Sequence, residues 1–303
     1  MYALANALKL RKELTMHKSV LQIDLSSRQF TFKSIDGVLE YIGGETLANF
    51  LLKNYLEKNE SRAGNYFSIT SGPLNGLFPY TSKAVTTHLY NNTKINYIGG
   101  GNVGALINLA NLYSIEVVGK STTPLYLEVR KGSVKFLDAS KDFLISSLGL
   151  SGRRFIMEFD DDIKVSGVFS YGKNLSKENN LLGLVFSFDG EYKIPDMDDY
   201  DDVLEKIKNR EKELSVSRSM NYSCFGCPMA CDFSTSLDTN KTSTLTKSLV
   251  GCGFADSIYT DINLVFLCFQ SLRYSYNHEF LEFFPHKAGV LNKSLDELLL
   301  KLN

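Results

Sequence analysis

Apolar and polar residues alternate through "SVLQIDLS" (19–26) and again through "RQFTFKSI" (28–35), with a short polar turn between them. Period-two alternation rich in β-branched and aromatic residues predicts a hairpin. The spacing changes in "GVLEYIGGETLANFLLKNYLEKN", where apolar residues recur at three and four after a glycine-marked start. This predicts a helix from about Thr46. "YFSITSGPLNGLFPYTS" is expected to be a strand running into a loop punctuated by glycine and proline. "AVTTHLYNN" and "TKINYI" are expected to be strands, and "GGGNVGALINLANLY" a turn opening a helix. Strand patterning resumes in "SIEVVGK", "LYLEVRKG" and "SVKFLDAS". A short helix is expected over "KDFLISSLGL", with further strands in "RFIMEFD", "KVSGVFSY" and "LGLVFSFDGEYKI".

The pattern shifts near Pro195. "DMDDYDDVLEKIKNREKELSVS" has acids in its first turn and bases later, the order a helix dipole favours, and helical spacing dominates to the end. The pattern thus predicts an N-terminal helix over 1–17, a strand-rich part over 18–195 and a helical region over 196–303. The element order indicates an α+β fold rather than a regular βαβ array. No internal repeat is visible in the sequence.

The chain has 303 residues, enough for one large domain or two ordinary ones, and a net charge of −1. No basic stripe suggests nucleic acid, and no long charge run suggests a disordered tail. The first residues mix apolar positions with Lys9, Arg11, Lys12 and Glu13, unlike a secretory signal. "INLVFLCF" is too short to span a bilayer. The expectation is a cytoplasmic protein with no membrane segment.

Chemistry concentrates in "SCFGCPMACDF", which holds Cys224, Cys227 and Cys231, three of the chain's five cysteines. In a reducing compartment clustered cysteines are metal ligands more often than disulfides. Thiolates suit zinc or iron–sulfur iron, and Cys-x2-Cys-x3-Cys in a turn brings three sulfurs to one side, as an iron–sulfur cubane requires. Gly226 lets the loop tighten and Pro228 stiffens it. Cys252, between Gly251 and Gly253, is the nearest candidate for a fourth ligand. Structural zinc, with Cys252, His278 or His286 completing a tetrahedron, is the alternative. Cys268 reads as core. Gly99, Gly100 and Gly101, with Gly104, open a helix and are candidates for receiving an anion.

With these segments located, the chain resembles the aldehyde ferredoxin oxidoreductase family of tungsten- or molybdenum-pterin enzymes. "VLQIDLSSRQFTFKSI" is similar to the family's opening hairpin, and "EYIGGETLANFLL" to its Gly-Gly-Arg-Gly helix start. "SITSGPLNGLFPYTS" is similar to its Thr-Gly-Pro-Leu-Thr-Gly loop, and "CFGCPMAC" to its iron–sulfur motif. The resemblance implies a β-sheet base domain under a pterin cofactor, helical domains closing over it, and a 4Fe-4S cluster passing electrons to ferredoxin. It assigns three cluster ligands to Cys224, Cys227 and Cys231 and leaves the fourth open. It also implies that the helical region is truncated relative to the family.

Three positions depart from the family pattern. Glu45 stands where an arginine is expected, Ser82-Lys83-Ala84 replaces Ser-Gly-Arg, and Asn179-Asn180 occupies an Arg-Gly position. Arginine holds phosphate through a bidentate, permanently charged fork, which glutamate reverses in sign and Lys83 replaces only as a point charge. The reading is therefore an iron–sulfur oxidoreductase-like protein, acting in electron transfer or as an accessory subunit without an intact tungstopterin site. Its expected partners are another protein chain, a second copy, or a ferredoxin-like carrier. One alternative is an active aldehyde oxidoreductase completed by a separate chain. Another is a non-catalytic zinc or metal-free binding module.

Overall fold

A computed structural model describes residues 18–59, 65–81, 83–90, 92–99, 103–139, 144–150, 154–159, 163–165, 168–170, 179–191, 194–211, 242–251 and 253–302. The expected helix over 1–17 lies outside them. The opening hairpin forms as its alternation predicts, with β1 (Ser19–Asp24) antiparallel to β2 (Gln29–Lys33). After it come α1 (Gly44–Lys58), β3 (Tyr66–Thr70), β4 (Ala84–Tyr90), β5 (Thr93–Gly99), α2 (Val103–Leu109) and β6 (Leu112–Val118). These strands make one six-stranded sheet in the order β2-β1-β6-β3-β4-β5, in which β1 and β6 run parallel and every other pair is antiparallel.

A second six-stranded sheet contains β7 (Leu125–Arg130), β8 (Ser133–Asp138), β9 (Arg154–Phe159), β10 (Ile163–Val165), β11 (Val168–Ser170) and β12 (Leu181–Ser187). Its order is β11-β10-β9-β12-β7-β8, and its parallel pair is β7 with β12. Numbered within each sheet, the two orders are the same. The fold therefore contains a topological repeat that the sequence does not display. Backbone pairing can be preserved while side chains diverge, provided the buried face stays apolar. Two expectations are refined. "KVSGVFSY" folds as the pair β10 and β11 rather than one strand, and within "KDFLISSLGL" the described helix is a single 3-10 turn, Ile145–Ser147.

The alternation of β1 explains the layering. Leu21 and Ile23 point to the second sheet and join Phe67, Ile115, Leu127, Phe155 and Phe186 in the largest apolar core. The rings of Phe67 and Phe159 meet edge to face across the two sheets, with centroids 5.2 Å apart. The opposite face of the first sheet carries Val20, Tyr66, Tyr113 and Leu89, which pack on α1 and on the last helix. With both faces covered, all five residues of β3 are buried, and its "YFSIT" run accordingly does not alternate cleanly.

The helical region comprises α3 (Met197–Glu211), α4 (Thr244–Leu249), α5 (Gly253–Tyr259), α6 (Ile262–Ser271) and α7 (His278–Leu302). Its core includes Ile207, Leu249, Ile258, Tyr259, Phe269 and Phe284. Leu74, Leu77, Phe78 and Tyr80, from the loop between β3 and β4, belong to the same cluster. The Tyr259 hydroxyl donates to the Pro79 carbonyl at 2.7 Å, and Tyr200 donates to the Leu77 carbonyl. This loop is the joint between sheets and helices. Among the described residues no helix is long and apolar enough to cross a membrane.

Candidate functional site: the glycine turns and the cysteine segment

The loop after β3 is shaped by two of its own side chains. Asn75 Oδ1 accepts from the Gly72 N–H, while its amide donates to the carbonyls of Thr81 and Lys83. Thr81 Oγ1 is within 2.8 Å of the carbonyls of both Leu74 and Phe78. From α2, Asn108 Nδ2 donates to the carbonyls of Gly72, Pro73 and Asn75 at 3.1, 3.2 and 2.8 Å. A buried loop must satisfy its backbone groups internally, and these asparagines do so.

The glycines flanking this loop have a partner inside the chain. A Cβ on Gly44, whose φ is +51°, would lie 2.2 Å from the Lys247 carbonyl oxygen. One on Gly72 would lie 2.2 Å from that of Leu249, and one on Gly43 would lie 2.9 Å from that of Ser248. The Thr46 hydroxyl on α1 and the Ser248 hydroxyl on α4 are 2.7 Å apart. Gly43, Gly44 and Gly72 therefore let the last turn of α4 approach main chain to main chain. Gly104 serves α2 similarly, since a Cβ there would sit 2.7 Å from Asn75 Nδ2.

Glu45 is half-buried at the start of α1 and accepts from Asn96 Nδ2 on β5 at 3.3 Å. Its charge opposes the fall that burial imposes on the pKa of Lys94. Asn49 joins the same polar seam, donating to Asn292 on α7 at 2.9 Å. Asn179 and Asn180 donate to the carbonyls of Gly119 and Ser121, fixing the turn between β6 and β7. Lys83 is buried. Gly99 closes β5 opposite Ala84, and a Cβ there would meet nothing within 4 Å. Gly100 and Gly101 lie outside the described residues.

Cys224, Cys227, Cys231 and Cys252 also lie outside the described residues. The segments bounding the cysteine motif are well anchored. Arg210, near the end of α3, pairs with Asp261 at the start of α6. Ser243 caps α4 by accepting from the Thr246 N–H at 3.2 Å, and its own N–H donates to Asp256 Oδ1 at 3.0 Å. Cys268 is fully buried on α6, and burial pushes its thiol pKa up, as a core cysteine requires. His278 packs on the ring of Phe266 and His286 on that of Phe283, at 4.3 and 4.9 Å. Among the described residues no three His, Cys, Asp or Glu side chains converge on a metal-sized site.

Paired six-stranded sheets of one topology, joined through a glycine-lined loop to a helical region whose sequence carries a three-cysteine motif, define an α+β protein. The sequence profile of the aldehyde ferredoxin oxidoreductase N-terminal domain matches residues 20–177. The chain belongs to that family. A similar solved structure is a chain of the active-site complex BamBC of benzoyl coenzyme A reductase, determined with 1,5-dienoyl-CoA. The two share 16% identity at a TM-score of 0.54, over 71% of this chain and 38% of that one. That likeness concerns the fold, and the present chain spans under two fifths of the other's length. No curated protein matches the sequence.

Proposed function

We propose that this chain is an iron–sulfur protein of the aldehyde ferredoxin oxidoreductase family that carries electrons or serves as an accessory subunit, without an intact tungstopterin site of its own. The carrying observation is the Cys224, Cys227 and Cys231 motif inside a chain of this family, between the anchored ends of α3 and α4. Three thiolates at this spacing fit an iron–sulfur cluster, and Cys252 is the proposed fourth ligand. A bound cluster supplies one-electron transfer. The protein's part is to hold the loop ends, through Arg210 with Asp261 and Ser243 with Asp256, so that the sulfurs are brought together at little entropic cost.

The pterin does not fit the residues present. Its phosphates require cations at the glycine turns, and Glu45 brings a carboxylate already committed to Asn96. The space beside Gly43, Gly44 and Gly72 is taken by the main chain of α4. Asn179 and Asn180 are committed to backbone carbonyls. Lys83 and the turn Gly99, Gly100 and Gly101 are kept as the proposed contact for a smaller anionic group. A protein partner, a second copy or a ferredoxin-like carrier, is proposed for the outer face of α7. Phe283, Val290 and Leu300 are 59%, 58% and 73% exposed there.

The test is anaerobic purification followed by iron, zinc, tungsten, molybdenum and acid-labile sulfide analysis, with Cys227→Ala as control. About four irons and four sulfides per chain, lost in the variant, are expected. Zinc alone overturns the electron-transfer reading in favour of a structural site. Tungsten or molybdenum beside iron overturns the statement about the pterin.

A further inference from the structure

The connector between α6 and α7, the turn at 35–39 and β6 enclose a cavity of about 250 Å³ that the iron–sulfur reading does not use. Its walls include the rings of Tyr113, Tyr274 and Tyr276, and Lys18 lies among them, 7% exposed. The Lys18 Nζ is 5.7 Å from the ring centre of Tyr113 and 5.5 Å from that of Tyr274. Its hydrogen-bond acceptor is Asn108 Oδ1. The orientation of that amide is fixed, because its nitrogen already donates to three loop carbonyls. Among the described residues no carboxylate pairs with Lys18. Asp36 and Arg273 also line the cavity, but Arg273 is paired with Asp196 at 3.2 Å.

A buried lysine without a counterion gives up its proton readily, and burial brings Lys18 down to about 7. The neutral amine then has one N–H held by Asn108 and a free lone pair. The Tyr274 hydroxyl is buried with no hydrogen-bond partner among the described residues, which costs stability unless something fills the site. Desolvated lysines in apolar pockets are the form in which this side chain acts as a nucleophile.

We propose that Lys18 captures a small aldehyde or ketone as a Schiff base in this cavity. The amine lone pair forms a bond to the carbonyl carbon, and the carbonyl oxygen takes up a proton to give a carbinolamine. That hydroxyl then leaves as water, and the C=N bond forms as nitrogen loses its remaining proton. No oxidant or reductant is consumed. The Tyr274 hydroxyl, without a partner among the described residues, is the donor we assign to the carbonyl oxygen. The volume admits a molecule of a few carbons, and the tyrosine rings favour one with an apolar or aromatic body.

The experiment is reductive trapping of the full chain with propanal and cyanoborohydride at pH 7, with labelling rates at each lysine read by peptide mass spectrometry. At that pH an amine with pKa near 7 is about half neutral, whereas an ordinary lysine at about 10.4 is neutral to less than one part in 10³. Lys18 is expected to label at least about tenfold faster than the exposed lysines, and to lose that advantage in concentrated urea. Tyr274→Phe should slow Lys18 alone. A native Lys18 labelled no faster than exposed lysines, or one whose advantage persists in urea, overturns the proposal. The rates are read on wild-type protein, so a folding defect in a variant does not decide the result. They do not depend on iron, so the outcome is separate from that of the cluster test.

Discussion

The Tyr66 hydroxyl on β3 donates a 2.8 Å hydrogen bond to a carboxylate oxygen of Glu116 on β6, inside the layer between the first sheet and α1. Gln22 donates to the other oxygen at 3.3 Å. Glu116 is 3% exposed, and burial raises its pKa despite the opposing pull of Tyr66, Lys33, Gln22 and Lys58. Its folded-state pKa thus lies above its unfolded value. Its contribution to stability is complete at pH below the unfolded carboxyl value and declines as pH rises through the folded one. Tyr66→Phe should cost about 1–3 kcal/mol at pH 7, because it strips a donor from a buried carboxylate. Glu116→Gln should remove the decline. Urea unfolding of both variants from pH 4.5 to 8 checks this, and an unchanged decline in the glutamine variant contradicts it.

His88 on β4 has the opposite pH dependence. It is fully buried, and burial pushes its pKa down to about 4. The unfolded chain takes up a proton near pH 6.5 that the folded chain refuses, so stability is lost as pH falls from about 6.5 toward 4. Between pH 7 and 5 the loss should be about 2 kcal/mol. His88→Gln should flatten that part of the profile, and thermal or urea midpoints at the two pH values measure it.

The glycines should separate by role. Gly72→Ala places a methyl 2.2 Å from the Leu249 carbonyl oxygen, and Gly44→Ala adds a left-handed φ to a similar collision. Each should cost about 3 kcal/mol or more and loosen the helices from the sheets. Gly99→Ala meets open space and should change stability by less than about 1 kcal/mol. Urea melts followed by tyrosine fluorescence distinguish the groups. If Gly72→Ala is as mild as Gly99→Ala, the α4 contact is not what these glycines serve.

Cys268 should behave as packing. Its buried thiol should resist iodoacetamide in the native protein and react once the protein is unfolded. Cys268→Ala should lower stability by about 1–2 kcal/mol through the cavity it leaves. It should leave the iron content unchanged, whereas Cys227→Ala should abolish it. Iron lost with Cys268→Ala in folded protein would place that thiol at the cluster instead.

Local signals were strong enough to read most of the secondary structure. The alternation in "SVLQID" and "QFTFK" is the observed hairpin, and the spacing from Thr46 lies within α1. The family motifs before residue 177 were legible because short loops keep their glycines and prolines at set intervals, and the matched domain, 20–177, bears this out. Two features were not legible. Identical strand order in the two sheets is a property of backbone pairing and needs no shared side chains. The partner of Gly43, Gly44 and Gly72 lies some 200 positions later, at Lys247, Ser248 and Leu249.

The sequence by itself therefore determined which segments fold, their class and the family, because each depends on residue type and near spacing, and it supplies the three-cysteine motif on which the proposed cluster rests. Only the tertiary structure decided that the glycine turns receive the backbone of α4. It also decided that Glu45 is spent on Asn96 and that Lys18 sits among three tyrosine rings with no counterion among the described residues. Those outcomes depend on which distant surfaces meet and on what each buried charge finds there, and neither is encoded in local spacing.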